Sequence, residues 1–248
     1  MARKRTTRKA PKAPTSRRAD AYERILLGII LGELEGGAKL DEKELVASYG
    51  LGQAAVRDAL FRLSLEGLVE RRARIGTQVS ELSLKSLQDV FEARRLLETY
   101  AAALAAERSN ASDIAAIREA HRGHDEAADA RDLEQLVLID MRFHAAVAKA
   151  SRNSEIERTL TRLHNAAARY WCMGLNRTPT EQIKSQGRAH LAIVDAIEAK
   201  DFRLIERRIH EVMAYVPDPR FFVNEPMLSV RLFPDADVKT AAPILETH

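Results

Sequence analysis

The stretch from Ser83 to Tyr215 constrains the fold most, because almost all of it favours helix. It contains a single proline, Pro179, few glycines and many alanines, and alanine has the highest helix propensity of any residue. Capping and turn residues divide the stretch into helices predicted near 83–108, 112–130, 132–151, 153–175, 181–200 and 202–215. Short links between successive helices favour antiparallel packing, so we predict an all-α bundle over residues 82–216.

The composition excludes several classes of protein. The chain has 248 residues, of which 30% are charged and 46% hydrophobic, as in globular proteins long enough for two domains. Its longest apolar run, Ile25 to Leu31, is far shorter than the ~20 residues that span a bilayer, and no apolar signal segment follows the N-terminus. The single cysteine, Cys172, excludes an internal disulfide and fits a reducing compartment. We therefore expect a cytoplasmic protein without a membrane-spanning segment.

The N-terminal residues form a strongly basic tail. Residues 1–18 carry eight lysines and arginines and no acidic residue, whereas the rest of the chain carries 31 basic and 36 acidic residues. Two prolines and little apolar content predict a disordered arm over residues 1–18. Such an arm can lie along a phosphate backbone and release counterions, or it can be a solvated tail that aids solubility.

The segment 19–81 predicts three short helices followed by a two-stranded ribbon. The predicted helices run from Asp20 to Leu34, from the N-cap Asp41 to near Gly50, and from Gln53 to Glu66, and the strands cover 68–72 and 77–80. A tight, glycine-containing turn joins the second and third helices. This order is typical of a winged helix-turn-helix domain.

In that fold the third helix enters the major groove and the ribbon tip approaches the adjacent backbone. The candidate contacts on the helix are Gln53, Ala54, Arg57 and, one turn further along, Arg62. The ribbon tip would add Arg72, Arg74 and Gly76. Arginine is suited to phosphates and guanine edges, and glutamine to adenine. The alternative is a small helical domain whose arginines are only solvated.

Two predicted helices of the bundle carry inward-facing Asp and His side chains. Asp140 and His144 lie four residues apart, hence on one helix face with apolar residues, and His190 lies on a later apolar face. The carboxylate and the imidazole of the Asp140–His144 pair can both reach one metal ion, or the pair can simply satisfy itself by a hydrogen bond. The remaining histidines between residues 100 and 180 are expected in solvent or at helix surfaces; they are His121, His124 and His164.

The segment from Arg24 to Ser80 resembles the DNA-binding domain of the GntR family of bacterial transcription regulators. The most specific match is the run Val-Arg-Asp-Ala-Leu-x-x-Leu-x-x-Glu-Gly-Leu-Val over residues 56–69. The resemblance implies DNA contacts from Lys43, Arg57 and the wing tip at 74–76. One departure is Gly-Gln-Ala-Ala over residues 52–55 in place of the family's usual Ser-Arg-Thr-Pro. The operator sequence therefore cannot be carried over from the family.

Residues 83–215 resemble the all-helical FCD effector domain of the FadR branch of that family. The matching stretches are Phe91 to Glu98, Asp140-x-x-Phe143-His144, and His190 to Ile197. The resemblance implies that a divalent metal, zinc or nickel, is held by Asp140, His144 and His190. It also implies that a small carboxylate effector binds beside this metal with help from Arg94.

The chain departs from the FCD pattern at the fourth metal ligand. The family's last histidine falls at Val212, and His210 lies two residues earlier, about 200° around the helix. Either an open three-ligand site remains or the metal has been lost.

These features predict a ligand-responsive DNA-binding transcription regulator, a repressor relieved by a small organic acid bound in the helical domain. A helix-turn-helix pair reads two half-sites, so we expect a homodimer on a two-fold symmetric duplex operator. No catalytic residue is expected. Two alternatives stay open: a metal-dependent hydrolase built on Asp140, His144 and His190, and an architectural DNA-binding protein with a vestigial effector domain. Residues 217–248 form a C-terminal extension of unassigned role.

Overall fold

The structure is a computed structural model that describes residues 14–73 and 76–213. The helices in this part of the chain are α1 (Pro14–Ile30), α2 (Glu42–Tyr49), α3 (Gln53–Leu65), α4 (Leu84–Arg108), α5 (Ala111–Ala120), α6 (His124–Ala130), α7 (Leu133–Ala150), α8 (Ser154–Leu175), α9 (Thr180–Glu198) and α10 (Phe202–Met213). The strands are β1 (Val69–Arg72) and β2 (Gly76–Val79). The extension 217–248 and the predicted wing residue Arg74 lie outside the described residues.

The N-terminal helices and the ribbon form the predicted winged helix-turn-helix. α1 packs against α3, and Ile25, Val56 and Leu60 are buried in their shared core. α2 begins as predicted, because the Asp41 side chain accepts hydrogen bonds from two backbone N–H groups of its first turn. Gly50 ends α2 in the left-handed conformation, with φ of 62°, and so allows the tight turn into α3.

The wing is a short antiparallel ribbon. β1 and β2 pair from Val69 opposite Val79 to Arg72 opposite Gly76. Val69 and Val79 are buried beneath the helices, whereas Arg72 and Gly76 are exposed at the far end. The end of the ribbon at Arg72 and Gly76 therefore lies away from the core.

The C-terminal bundle is built around the long helix α4, which packs against α7, α8, α9 and α10. The core of the bundle contains the buried Phe91, Phe143, Tyr170 and Ile193. The mainly α architecture, a winged helix-turn-helix followed by an antiparallel all-α bundle, is thus confirmed. No helix of the described residues is both long and apolar enough to cross a membrane.

The helix predicted over 112–130 is in fact two helices. α5 ends at Ala120, and α6 begins at His124 after a turn in which Gly123 has φ of 84°. This left-handed conformation cannot continue a right-handed helix, and glycine adopts it without steric cost. The break turns the start of α6 inward, so that His124 is buried.

The bounds predicted for α1 were also wrong. The helix begins at Pro14 rather than at Asp20, since proline has a fixed φ and no N–H to satisfy in a first helical turn. It ends at Ile30 rather than at Leu34, because Gly32 adopts φ of 80° just after it. The predicted disordered arm therefore overlaps α1 over residues 14–18, and its residues 1–13 lie outside the described residues.

Helix α8 connects the two domains through apolar packing. Ala168 and Cys172 of α8 belong to the same buried cluster as Ile25 and Leu26 of α1. Burial raises the pKa of the Cys172 thiol to about 11, so this cysteine is an inert core residue.

Polar contacts from α8 reinforce this connection. The Tyr22 hydroxyl donates to the Glu66 carboxylate over 2.8 Å. Asn165 Nδ2 then donates both to the Tyr22 hydroxyl and to Glu66, each over 3.1 Å. One turn later, Arg169 donates to the Ser80 carbonyl over 2.7 Å. α8 therefore holds α1, the end of α3 and the residue after β2 at once.

Candidate functional site

The N-terminal half of α3 presents the first candidate site. Gln53, Ala54 and Arg57 are exposed there, and Lys43 is exposed at the start of α2. The Arg57 guanidinium lies 2.6 Å from the Glu42 carboxylate and its side chain remains 61% exposed. Exposed pairs of this kind are weak, so a phosphate or base edge can compete for Arg57.

The other predicted DNA contacts do not all share this face. The Arg62 guanidinium lies 3.9 Å from the centroid of the Tyr22 ring, and Arg62 is about 140° around α3 from Arg57. Arg72 is exposed on the wing and pairs with Glu70 over 3.0 Å, and Gly76 is exposed opposite it. The structure therefore groups Gln53, Ala54 and Arg57 and directs Arg62 toward α1.

The second candidate site lies inside the bundle, where α7 and α9 bring Asp140, His144 and His190 together. His144 Nε2 and His190 Nε2 are 3.2 Å apart, and each is 3.7 Å from Asp140 Oδ1. A point about 2 Å from all three atoms therefore exists, the length of a zinc–nitrogen or zinc–oxygen bond. The three side chains are only 8–12% exposed. The predicted inward pair is thus part of a triangle of metal-ligand size.

A buried ion pair orients one of these imidazoles. Glu98 Oε2 accepts a hydrogen bond from His144 Nδ1 over 3.2 Å, and Glu98 Oε1 accepts one from Arg94 Nε over 2.7 Å. With the hydrogen on Nδ1, the lone pair of His144 is on Nε2 and faces Asp140 and His190. Burial alone would raise the pKa of Glu98, but the Arg94 charge and the contacts with His144 and His164 together outweigh burial and hold that pKa well below its usual range.

Asp140 has a partner of its own on α8. His164 Nε2 lies 2.9 Å from Asp140 Oδ2, the carboxylate oxygen that does not face the imidazole pair. Burial would raise the pKa of Asp140, but this hydrogen bond and the neighbouring imidazoles lower it below its usual range. Burial lowers the pKa of His164 to about 4 and that of His190 well below its usual value. At neutral pH the Asp140 carboxylate is therefore ionised and the His190 imidazole is neutral, the states in which these two groups bind metal.

The prediction that the other histidines lie at surfaces was wrong. His121, His124 and His164 are all buried, and the rings of His121 and His124 stack with centroids 4.8 Å apart. His121 lies beside His190, with ring centroids 5.9 Å apart. The sequence did carry a signal for His164, because Leu160 and Ala168, one turn to either side, are apolar and would place it on the inward face.

A second set of possible ligands, Glu98, His144 and His164, suits a metal less well. Arg94 already neutralises Glu98, and Glu98 in turn holds a hydrogen on His144 Nδ1. The set of Asp140, His144 and His190 has neither obstacle, and two imidazoles with one carboxylate suit zinc or nickel.

Comparisons with known proteins match both domains of the chain. The FCD domain family matches residues 89–215, and the family described as bacterial regulatory proteins, gntR family, matches residues 17–79. The chain belongs to the GntR family. Its FCD domain is the helical bundle.

Named relatives of this GntR-family chain regulate transcription. The chain is 32% identical over 196 residues to a probable D-xylose utilization operon transcriptional repressor of Paenarthrobacter nicotinovorans, covering 78% of this chain and 84% of that protein. It is 29% identical over 188 residues to the HTH-type transcriptional repressor GlaR of Escherichia coli, covering 73% and 86%. The solved structure of E. coli McbR/YncC has the same fold, with a TM-score of 0.71 and 21% identity over 80% of this chain and 93% of that one.

Within the FCD domain, the position expected for a fourth ligand is apolar. Val212 of α10 lines a cavity of about 40 Å³ together with Arg94, Asp140, His144 and His190. His210 is exposed on another face of α10, as its spacing predicted. The triad of this FCD domain therefore opens onto a small cavity at the side where Val212 stands.

A larger cavity adjoins the same cluster. It measures about 110 Å³ and is lined by Glu98, His144 and His164 on one side and mostly by apolar side chains elsewhere. His144 and His164 border both cavities. The single tryptophan, Trp171, lines the smaller cavity and donates to Gln186 over 3.2 Å.

Proposed function

We propose that this GntR-family regulator is a repressor relieved by a small carboxylate, which binds beside a divalent metal held by Asp140, His144 and His190. The observation that carries the proposal is the triad, whose three ligand atoms surround one point at bonding distance. Two relatives named as transcriptional repressors support the sign of regulation. The proposed division assigns DNA reading to residues 19–81 and effector binding to residues 82–216.

Charge at the site supports an anionic effector only when the metal is bound. Among the described residues, Asp140 and Glu98 are ionised, Arg94 is the cation beside them, and His164 and His190 are neutral. This set carries a net charge of about −1 and repels a carboxylate. A divalent ion would change the net charge to about +1, so the metal would supply the attraction and Arg94 a hydrogen-bond donor.

Cavity size limits the effector to a small molecule. The cavities of about 40 and 110 Å³ are each smaller than the roughly 150 Å³ that accommodate benzene in an engineered protein core. The smaller one has room for a carboxylate group next to the triad, and the larger one for a short carbon skeleton.

Helix α8 provides a route from this site to the DNA-binding domain. His164 contacts Asp140 of the triad, and the next residue, Asn165, contacts Tyr22 and Glu66 of the winged helix-turn-helix. An effector changes DNA affinity only if it binds two arrangements of the domains unequally. A ligand that shifts α8 would change both sets of contacts together.

We further propose a cytoplasmic homodimer on a two-fold symmetric duplex. Leu96 and Tyr100, one turn apart on α4, are 63% and 47% exposed, and a second copy would remove their apolar surface from water. The arm at residues 1–18 would then follow the phosphate backbone on each half-site.

The hydrolase alternative has less support than this regulator. A metal-dependent hydrolase needs a free general base beside the metal. The nearby carboxylate Glu98 is engaged by both Arg94 and His144. Those contacts stabilise the ionised form of Glu98 and so make it a weak base. Glu98 is therefore poorly suited to accept a proton from water.

A binding experiment tests the DNA assignment. A duplex is selected from a random library with the wild-type protein, and its dissociation constants are compared for wild type, Arg57→Glu and Lys149→Glu. Lys149 is exposed on the bundle, and its substitution changes the net charge by the same two units. We expect Arg57→Glu to lose about 100-fold in affinity, the loss of a bidentate base or phosphate contact, and Lys149→Glu to stay near wild type. Retained specific binding by Arg57→Glu would refute the groove assignment.

A second measurement tests the effector assignment on the same duplex. The zinc-loaded protein is titrated with unbranched carboxylates of two to six carbons. We expect at least one of them to weaken DNA binding about tenfold or more, a coupling of the usual allosteric size. Asp140→Ala should bind the duplex and fail to respond. A panel without effect on wild type would contradict the proposed effector class.

A further inference from the structure

We propose that His164 is a positioning residue that holds Asp140 in the orientation needed for metal binding, and that it thereby compensates for the apolar Val212. The inference rests on the metal role proposed above. In this proposal the three-ligand site requires His164 as well as the triad, although His164 does not bind the metal itself.

The geometry divides the two oxygens of Asp140 between two tasks. Oδ2 lies 2.9 Å from His164 Nε2, whereas Oδ1 lies 3.7 Å from both His144 Nε2 and His190 Nε2. A carboxylate that was free to rotate about its terminal torsion would direct Oδ1 toward the two imidazoles only part of the time. The bond to His164 fixes that torsion.

The available hydrogen-bond partners place the His164 hydrogen on Nε2. His164 Nδ1 is buried and has no hydrogen-bond partner among the described residues, while Nε2 faces a carboxylate oxygen. A hydrogen on Nδ1 would be a buried donor without an acceptor, and it would leave Nε2 and Oδ2 as two opposed lone pairs. With its hydrogen on Nε2, His164 has no lone pair there for a metal, so it supports a ligand rather than acting as one.

Each ligand of α7 thus has its own support from a different helix. Glu98 of α4 holds the His144 ring, and His164 of α8 holds the Asp140 carboxylate. The His144 and His164 rings also lie 4.2 Å apart between centroids, which limits movement of either ring. Supporting contacts of this kind are worth about 10–100-fold in metal affinity. Such a gain offsets part of what the missing fourth ligand costs.

The test is zinc affinity of the full chain, measured by competition with a chromophoric chelator. His164→Gln places an amide N–H donor near the position of Nε2, and His164→Leu has similar bulk and no donor. The control is His121→Leu, which removes another buried histidine whose Nε2 lacks a hydrogen-bond partner among the described residues. We expect His164→Leu to weaken zinc binding about 10–100-fold, and His164→Gln and His121→Leu to stay within about threefold of wild type.

Several outcomes would overturn the proposal. Wild-type affinity in His164→Leu would show that Asp140 needs no support. Equal losses in His164→Gln and His164→Leu, with helix content retained in both, would show that the donor is not what matters. A visible spectrum of the cobalt-substituted protein that changes in His164→Gln would make His164 a ligand. A wild-type protein that binds no zinc would remove the metal role as well, whereas the DNA-binding result for Arg57 would stand independently.

Discussion

Removing the Glu98 carboxylate should strongly destabilise the effector domain. The Arg94 and Glu98 side chains are only 6% and 7% exposed, so Glu98→Ala leaves a buried guanidinium without its counterion. Breaking a buried ion pair on one side costs about 3–5 kcal/mol. The lost acceptor for His144 Nδ1 adds about 1–3 kcal/mol. The expected loss is therefore roughly 4–8 kcal/mol, against a typical total stability of about 5–15 kcal/mol.

A double variant distinguishes the loss of a buried counterion from the effect of an empty cavity. Arg94→Met with Glu98→Leu removes both charges and keeps similar side-chain volume. Replacing a buried ion pair by apolar residues is often neutral or stabilising by about 1–4 kcal/mol. The double variant should therefore recover most of the stability that Glu98→Ala loses, less the cost of the unpartnered His144.

Urea unfolding of the metal-free protein is a suitable assay. Circular dichroism at 222 nm follows the helices, and the fluorescence of Trp171, the single tryptophan, reports on the site itself. EDTA is present throughout, so that metal binding does not contribute to the measured stability. A loss of less than about 1 kcal/mol in Glu98→Ala, or a double variant as unstable as the single one, would refute the assignment of a buried ion pair at this position.

Two further predictions concern the histidines and α8. The pKa values of His121 and His164 fall from 6.5 to about 4 on folding. Between pH 6.5 and pH 4 the unfolded chain therefore binds more protons than the folded chain, so lowering the pH favours the unfolded chain. Between pH 6.5 and pH 5, the free energy of unfolding of the metal-free protein, measured with urea, should therefore fall by about 2 kcal/mol for each of the two histidines. A free energy of unfolding that does not change with pH would contradict their burial as neutral groups. Asn165→Leu removes two hydrogen bonds to the winged helix-turn-helix and should cost about 1–3 kcal/mol of stability. It should also reduce the effect of an active carboxylate on DNA affinity, and an undiminished response would exclude Asn165 from the route between the sites.

Much of the fold followed from local patterns in the sequence. The Asp41 cap and the apolar spacing of the third helix placed α2 and α3 within a residue or two, because caps and helix periodicity act within one or two turns. The break at Gly123 was missed, since a glycine within a helix-favouring segment gives no local sign of whether it will adopt positive φ. The early start of α1 was missed because the basic composition around Pro14 favoured disorder.

The site was predictable only in part. Asp140 and His144 share a helix face at four-residue spacing, so their proximity could be anticipated. The resemblance to FCD domains predicted that His190 lies beside them. The role of Glu98 could not be anticipated, because its contact with His144 joins two helices far apart in the sequence. The same holds for the bond of His164 to Asp140. For such contacts, helix spacing predicts which way a side chain faces but not which side chain it meets.

The measurement that tests the central claim most directly is metal content. The full-length protein, purified without a metal-affinity tag, is analysed by elemental mass spectrometry beside Asp140→Ala. We predict close to one zinc or nickel ion per chain in the wild type and a large loss in the variant, because Asp140 supplies the carboxylate ligand at the point equidistant from His144 and His190. No metal in either sample, or equal metal in both, would contradict a metal-dependent effector site built on this triad.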